Sequence, residues 1–208
     1  FSHRDIASMM EKGELFRKSF HLCAPLFLLY YLVPGDMWGF APSAGSVLSG
    51  REVILLIVLA AVLASEAVRL KAGRRVFGMR HYETGKMAAH AWAGLGITIG
   101  FLFFPRPFVV AIVFGMAWVD PLISVLRKER PALYPILPLA AYLLIVASAL
   151  FIQTDIPPLV IFNLALIAAC AAILCESPRL EHLDDDFLLL TIPLAALWLA
   201  DFLFAGAI

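Results

Sequence analysis

Seven apolar stretches, each of about 20 residues, constrain this chain more than any other feature of its sequence. They lie at 14–33, 53–70, 87–104, 108–126, 134–152, 157–176 and 187–206. An α-helix of about 20 residues crosses the hydrocarbon core of a bilayer, which is about 30 Å thick. Hydrophobic residues make up 62% of the chain and charged residues only 15%, whereas about a quarter of a soluble domain is charged. The sequence therefore predicts an all-α, polytopic membrane bundle with about seven transmembrane helices.

The predicted bundle is a single integral membrane domain that covers residues 1–208. Residues 1–13 are mostly polar and form a short lead-in, and the turn at 105–107 joins two spans directly. No stretch between the spans is long enough to act as a linker between domains. The net charge of zero argues against a nucleic-acid partner, since such proteins carry basic surfaces. The membrane is therefore the expected environment of the whole chain.

Basic residues are distributed unequally between the two sides of the predicted bundle. Only Arg51 and Arg106 fall on one side, so 14 of the 16 Lys and Arg residues fall on the other. Loops rich in Lys and Arg stay in the cytoplasm. The sequence therefore predicts a cytoplasmic N-terminus, cytoplasmic loops at 70–86 and 179–186, and a C-terminus outside.

The first span carries a polar stripe at its cytoplasmic end. Glu14, Arg17, Lys18 and His21 are spaced i, i+3, i+4 and i+7, so they share one face of a helix. Insertion of a charged residue into a membrane helix costs about 2.5–3.5 kcal/mol of free energy. Four ionisable residues on one face therefore require a structural or functional explanation. Snorkelling of the two bases to headgroups and a Glu14–Lys18 pair would explain three of the four. His21 lies one turn deeper, which favours a wet polar pocket at the membrane face.

More ionisable residues interrupt the apolar helices at the same face. They are Glu66 and Arg69 in the second span, Asp120 in the fourth, Glu176 at the end of the sixth, and Asp184, Asp185 and Asp186 before the seventh. An ion path would need polar groups across the whole membrane, whereas one-sided clustering suits an active site. We expect one cytoplasm-facing cavity to contain Glu14, His21, Glu66, Asp120, Glu176 and Asp185.

The residue types in this cavity are those of phosphoryl transfer. Carboxylates, drawn from Asp120, Glu176, Asp184 and Asp185, suit Mg²⁺, which binds carboxylates, water and phosphate oxygens. The bases Arg17, Lys18 and Arg69 suit phosphate groups. A metal ion with fixed cations supplies the positioning and charge neutralisation that phosphoryl transfer requires. The acids at 184–186 have a plainer alternative, because acidic residues also cap helix N-termini.

The arrangement resembles the CTP-dependent polyprenol kinases, a family that includes dolichol, phytol and farnesol kinases and the yeast-type diacylglycerol kinase. The matching segments are Glu14-x-x-Arg17-Lys18-x-x-His21, Glu66-x-x-Arg69, Trp118-Val119-Asp120 in the place of a Gly-Asp pair, and Glu176 followed by Asp184-Asp185-Asp186 and Thr191-Ile192-Pro193-Leu194. They are spread over nearly the whole chain. The resemblance implies transfer of the CTP γ-phosphate to a lipid alcohol at the cytoplasmic leaflet. Glu14 or His21 is our candidate for the base that accepts the proton of the lipid hydroxyl.

The chain departs from the family pattern at three places. Val119 replaces the usual glycine, Asp186 replaces the usual asparagine, and a Lys-Ser-x-x-Gly segment after the Gly-Asp pair is absent. The loop after Asp120 still offers three cations, Arg127, Lys128 and Arg130. Our hypothesis is that these cations replace the absent lysine in binding the nucleoside triphosphate.

Two other functions remain open at this point. Related membrane enzymes use CTP to activate lipid phosphates, so a cytidylyltransferase is the alternative within enzymes. A catalytically silent lipid-binding or transport protein is the alternative outside them. A transporter would show polar groups at the bilayer midplane and paired broken helices, and neither is clear in the sequence. The acceptor lipid is left open, because its pocket would be lined by the same apolar residues that face the bilayer.

Overall fold

The fold is all-helical, as predicted. A computed structural model describes residues 13, 15–16, 18–35, 48–74, 79, 85–176 and 183–203, and these ranges contain helices but no strand. The first helical segment, α1, comprises α-helical residues 18–22 and the 3₁₀ helix Ala24–Leu32. The remaining helices are α2 (Gly50–Ala72), α3 (Ala89–Phe103), α4 (Arg106–Glu129), α5 (Ile136–Gln153), α6 (Pro158–Glu176) and α7 (Asp185–Leu203).

Five of these helices, α2, α4, α5, α6 and α7, are long and apolar enough to cross a membrane. Helix α3 is also apolar, but it has only 15 residues. The helices lie where the apolar stretches predict them, which confirms a helical protein built to be embedded in a membrane. The count of seven spans and the side of the N-terminus remain predictions.

Helix α1 differs from the continuous helix predicted over 14–33. The α-helical hydrogen bonding ends at Cys23, and a 3₁₀ helix of nine residues follows. Pro25 stands in the first turn of that helix, and its missing N–H removes the α-helical hydrogen bond to the carbonyl of His21. His21 therefore lies at the point where the helix type changes.

Local sequence signals fix both ends of α2. The carboxylate of Glu52 accepts a hydrogen bond from the backbone N–H of Ser49 at 2.7 Å, which is one half of a capping box. At the other end, Gly73 adopts a left-handed conformation with a φ of 60°, which glycine tolerates without steric cost. Its N–H and that of Arg74 bind the carbonyls of the last turn. These caps end α2 one turn after Arg69.

Close helix packing builds the core around α4 and α7. Gly115 of α4 lies against the ring of Tyr142, so close that an added Cβ would stand 2.8 Å from Cζ. Gly96 of α3 lies against Leu190 of α7 in the same way, with an added Cβ 3.2 Å from Cδ1. Small residues let helix backbones approach one another in membrane proteins. These glycines therefore allow close packing of α4 against α5 and of α3 against α7.

Side-chain contacts show which helix termini share an end of the bundle. His21 of α1 lies beside Asp120 near the end of α4 and beside Asp186 at the start of α7. Trp92 at the start of α3 contacts Phe187 of α7, with ring centroids 5.3 Å apart. The opposite end joins the end of α1 to the starts of α2 and α4 through stacking of arginine on tyrosine. Helices α1, α3 and α7 therefore run away from the His21 end of the bundle, and α2 and α4 run towards it, as the sequence predicts.

Candidate active site

Three ionisable side chains from three different helical segments meet at one end of the bundle. His21 Nδ1 lies 3.8 Å from Asp120 Oδ2, and His21 Nε2 lies 3.8 Å from Asp186 Oδ2. One ligand atom from each residue lies within 4.8 Å of those from the other two. His21 and Asp186 are buried, whereas 27% of the Asp120 side chain is exposed. This group, which we call the His-Asp-Asp cluster, is therefore mostly buried, and Asp120 is its most exposed member.

The start of α7 explains how Asp186 reaches this cluster. The carboxylate of Asp184 accepts the backbone N–H of Asp186 at 3.1 Å, and the carbonyl of Asp184 accepts the N–H of Leu188. Asp184 is therefore the N-cap of α7, which is the plainer role considered for this acidic run. Because Asp184 fixes the first turn, Asp186 occupies a defined position on the inner face of the helix.

A second group, the Glu176–Arg127 pair, adjoins the cluster. Arg127 Nη1 lies 3.0 Å from Glu176 Oε1, and Arg127 Nη2 donates a hydrogen bond of 2.6 Å to the hydroxyl of Tyr134. Only 9% of the Glu176 side chain is exposed, and its Oε2 has no hydrogen-bond partner. Asp120 and Asp185 lie close enough to repel the charge of Glu176. Negative charge is thus concentrated where one buried carboxylate oxygen is unpaired.

Glu66 and Arg69 form a separate network, which we call the Glu66–Arg69 network. Arg69 donates two hydrogen bonds of 2.8 Å to the Glu66 carboxylate. It also donates to the carbonyls of Arg74 and Lys86, while Glu66 accepts the N–H of Ala88 at 2.6 Å. Both side chains are almost fully buried. The network ties the end of α2 to the chain that leads into α3, and its short bonds are those of a structural contact.

The predicted site residues occupy several different places. Glu14 and Arg17 lie outside the described residues. Lys18 is partly buried on α1, and Lys128 and Arg130 are exposed at the end of α4. His21 and Asp120 meet, while Glu176 and Asp185 adjoin them. A single cavity that also contains Glu14 and Glu66 remains a prediction. The carboxylate of Glu66 accepts its hydrogen bonds from Arg69 and Ala88, which belong to a separate network.

Asp186 and Tyr134 are the site residues that the sequence did not single out. The sequence places Asp186 in a run of three acids at this face but does not distinguish it from Asp184 and Asp185 as a site residue. Asp184 caps α7, whereas Asp186 reaches His21. Which acid takes which role depends on the residue at which α7 begins. Nothing in the sequence alone indicates that Tyr134, one residue before a proline, stacks on Arg127 with 4.5 Å between the guanidinium carbon and the ring centre.

The carboxylates of the cluster are ligands that Mg²⁺ accepts. Asp120 and Asp186 supply oxygen atoms, and water or substrate phosphates could fill the other positions of an octahedral ion. Of the four predicted magnesium ligands, Asp120 lies in the His-Asp-Asp cluster, Glu176 is paired with Arg127, Asp184 caps α7, and Asp185 lies near Glu176. The oxygen donors therefore fit Mg²⁺, while His21 adds a nitrogen donor that Mg²⁺ seldom uses.

Comparisons with models of protein families, with curated protein sequences and with solved structures gave no match for this chain. The assignment of function therefore depends on the residues of the site and on the resemblance of the sequence motifs.

Proposed function

We propose that this chain is a membrane lipid kinase that transfers the γ-phosphate of CTP to a lipid alcohol at the cytoplasmic face. The observation that carries the proposal is the meeting of His21, Asp120 and Asp186 beside the Glu176–Arg127 pair. These residues come from α1, α4, α6 and α7, at one end of the helices that can cross a membrane. Metal donors, a buried carboxylate and cations at such an end suit the transfer of a phosphoryl group to a lipid.

The surroundings of His21 support a lipid acceptor. Phe20 and Leu22, its neighbours on α1, are about half exposed, although His21 itself is buried. In a membrane, exposed apolar side chains face lipid. A lipid alcohol could therefore keep its chain in the bilayer while its hydroxyl reaches the edge of the His-Asp-Asp cluster.

Each group of the site has a task in the reaction. A divalent ion, Mg²⁺ by analogy with the resembled family, would be held by Asp120 and Asp186 and would neutralise charge on the phosphates. Arg127 holds Glu176 and Tyr134 in place. Lys128 and Arg130 are exposed at the end of the same helix and are the cations proposed to bind the nucleotide from solution. The lipid oxygen forms a bond to the γ-phosphorus, the bond to the β–γ bridging oxygen breaks, and CDP leaves. Glu14 and His21 are the candidates to accept the hydroxyl proton.

An assay with purified protein in lipid nanodiscs tests this proposal. CTP and ATP labelled at the γ-position are offered with polyprenol, phytol, farnesol and diacylglycerol, and separately with lipid phosphates. The proposal predicts label on a lipid alcohol, dependence on a divalent ion, and loss of transfer in Asp120→Asn. Release of pyrophosphate with a lipid phosphate would instead identify a cytidylyltransferase. Failure to bind CTP at millimolar concentration would favour a silent lipid-binding protein.

The orientation is tested by cysteine labelling in a background that lacks the three native cysteines. Arg74→Cys lies at the site end and Asp155→Cys at the opposite end, and both positions are exposed. A reagent that cannot cross the membrane should label Asp155→Cys in intact cells and leave Arg74→Cys unlabelled. The reverse pattern would move the site to the other side of the membrane, where CTP is not supplied.

A further inference from the structure

We propose that the His-Asp-Asp cluster binds one divalent transition-metal ion through a nitrogen of His21, and that it prefers Mn²⁺ to Mg²⁺. The role of this ion in the reaction rests on the proposed function. The binding of the ion does not, because it can be measured without nucleotide or lipid.

The distances within the cluster are the first argument. Both His21 nitrogens stand 3.8 Å from a carboxylate oxygen, which is too long for a hydrogen bond. Two ligands that share an ion at about 2.1 Å lie about 3.0–3.4 Å apart in octahedral or tetrahedral geometry. Movements of less than about 1 Å, within the reach of side-chain rotation, would therefore convert the observed spacing into a ligand set.

The ligand types are the second argument. Two carboxylates and one imidazole combine hard oxygen donors with a borderline nitrogen donor. Mg²⁺ demands oxygen ligands and gives up its water reluctantly, while Mn²⁺ accepts carboxylate, water and imidazole together. Three protein ligands leave positions open for phosphate oxygens or water. The set of donors therefore discriminates between the two ions at His21.

The environment of Glu176 is a third, independent argument. This side chain is more than nine-tenths buried, and its Oε2 has no hydrogen-bond partner, although Arg127 holds its other oxygen. Its charge is also repelled by Asp120, which belongs to the cluster. An unpaired buried carboxylate oxygen is costly, and positive charge nearby offsets part of that cost. A divalent ion held beside Asp120 would supply such charge.

The two imidazole nitrogens of His21 face different carboxylates. Nδ1 faces Asp120 and Nε2 faces Asp186. One of these nitrogens binds the ion, and Asp120 and Asp186 are its carboxylate ligands. With His21 occupied by the ion, Glu14 is the candidate base that is left for the lipid hydroxyl.

Pulsed electron paramagnetic resonance of Mn²⁺ bound to the full chain in nanodiscs tests the proposal. A directly bound imidazole nitrogen adds a ¹⁴N modulation to the Mn²⁺ spin echo. We expect that modulation in the unmodified protein, one Mn²⁺ per chain, and Mn²⁺ bound at least tenfold more tightly than Mg²⁺. Mn²⁺ bound without the ¹⁴N modulation, or no Mn²⁺ bound at all, would overturn it. The measurement on the unmodified protein decides the question even if a variant fails to fold.

Matched variants separate the ligands from the rest of the chain. His21→Gln should remove the ¹⁴N modulation and weaken Mn²⁺ binding at least tenfold, while Mg²⁺ binding changes less than threefold. His90→Gln, a histidine beside the Glu66–Arg69 network, is the control and should change neither. Asp186→Asn should weaken both ions, with Asp155→Asn at the opposite end as its control. Equal weakening of Mn²⁺ by His21→Gln and His90→Gln would contradict ligation by His21.

The outcomes for binding and for reaction are distinguishable. A ¹⁴N signal without any phosphorylated lipid would leave the metal site in place and remove the kinase. Lipid phosphorylation with Mg²⁺ and no ¹⁴N signal would keep the kinase and remove the nitrogen ligand.

Discussion

The two polar groups at one end of the bundle, the Glu66–Arg69 network and the His-Asp-Asp cluster, are built in opposite ways. In the first, Arg69 donates hydrogen bonds of 2.7–3.2 Å to the Glu66 carboxylate and to two backbone carbonyls, and the Glu66 carboxylate also accepts a backbone N–H. In the second, both contacts of His21 to the carboxylates are 3.8 Å long. The comparison shows that burial of charge alone does not mark a functional site. The functional candidate is the group in which a histidine and two carboxylates from three helical segments lie 3.8 Å apart, a spacing that a shared ion could close.

The largest effect on stability is expected in the Glu66–Arg69 network. Glu66→Gln removes one charge of a buried pair and should lower the free energy of unfolding by about 3–5 kcal/mol. Thermal unfolding in detergent, followed by fluorescence or circular dichroism, measures the change. Adding Arg69→Met should recover part of the loss, because the uncompensated guanidinium is then removed as well.

One outcome of this experiment would contradict the assignment of the Glu66–Arg69 network as a structural contact. If Glu66→Gln leaves the unfolding temperature unchanged but abolishes lipid phosphorylation, the network takes part in the reaction. Glu66 would then belong with His21 and Asp120, as the sequence predicts.

The opposite behaviour is expected in the His-Asp-Asp cluster. Asp120→Asn should lower turnover about 10²–10³-fold, because it removes charge that positions the phosphates. Its unfolding temperature should stay the same or rise, since one source of repulsion on Glu176 disappears. Labelled CTP and a lipid alcohol measure turnover, and Asp155→Asn is the matched control. A large loss of stability in Asp120→Asn would make the cluster a structural contact like the first network.

The Glu176–Arg127 pair should fall between these two extremes. Arg127→Gln leaves Glu176 buried without its charged partner, which should cost about 1–3 kcal/mol of unfolding free energy. Replacing Glu176 by Gln in the same protein should recover most of that loss. If Arg127→Gln alone leaves the free energy of unfolding unchanged, Arg127 does not stabilise the Glu176 carboxylate. The pair would then not count as a structural contact of the kind seen in the Glu66–Arg69 network.

The smallest effect on stability is expected at the exposed end of α4. Lys128→Gln with Arg130→Gln should change the free energy of unfolding by less than about 0.5 kcal/mol, as is usual for surface positions. If these cations bind the nucleotide, the KM for CTP should rise about tenfold with little change in kcat, which is the pattern for loss of uniform binding. Arg127 is left intact in this test because of its bonds to Glu176 and Tyr134. An unchanged KM would show that these residues only anchor the helix end at the membrane.

The helices were predictable from the sequence because apolar length is a strong and local property. The predicted stretches and the observed helices agree within a few residues over α2 to α7. The exception is α1, where a single proline changes the helix type after His21. Pro25 was visible in the sequence, but whether a proline kinks a helix or converts it to a 3₁₀ helix depends on the packing around it.

The site was predictable only in part, because spacing along a helix does not reveal contacts between helices. His21 and Asp120 were singled out as interrupting polar residues, and they lie together. Asp184 and Asp186 differ by two positions in one acidic run, yet one caps α7 and the other faces His21. That difference depends on the first residue of the helix, which the sequence does not define to within one position.

The glycines of α3 have a consequence for the precision of the site. Gly96 and Gly100 receive Leu190 and Leu194 of α7, so α7 is held at one longitudinal position against α3. A helix rises about 1.5 Å per residue, so Asp186 lies about 6 Å along the axis from Leu190. A slip of one turn, about 5.4 Å, would carry Asp186 away from His21 by more than the whole spacing of the cluster. The packing of Leu190 and Leu194 against Gly96 and Gly100 therefore helps to set the distance between Asp186 and His21 at the end of the bundle.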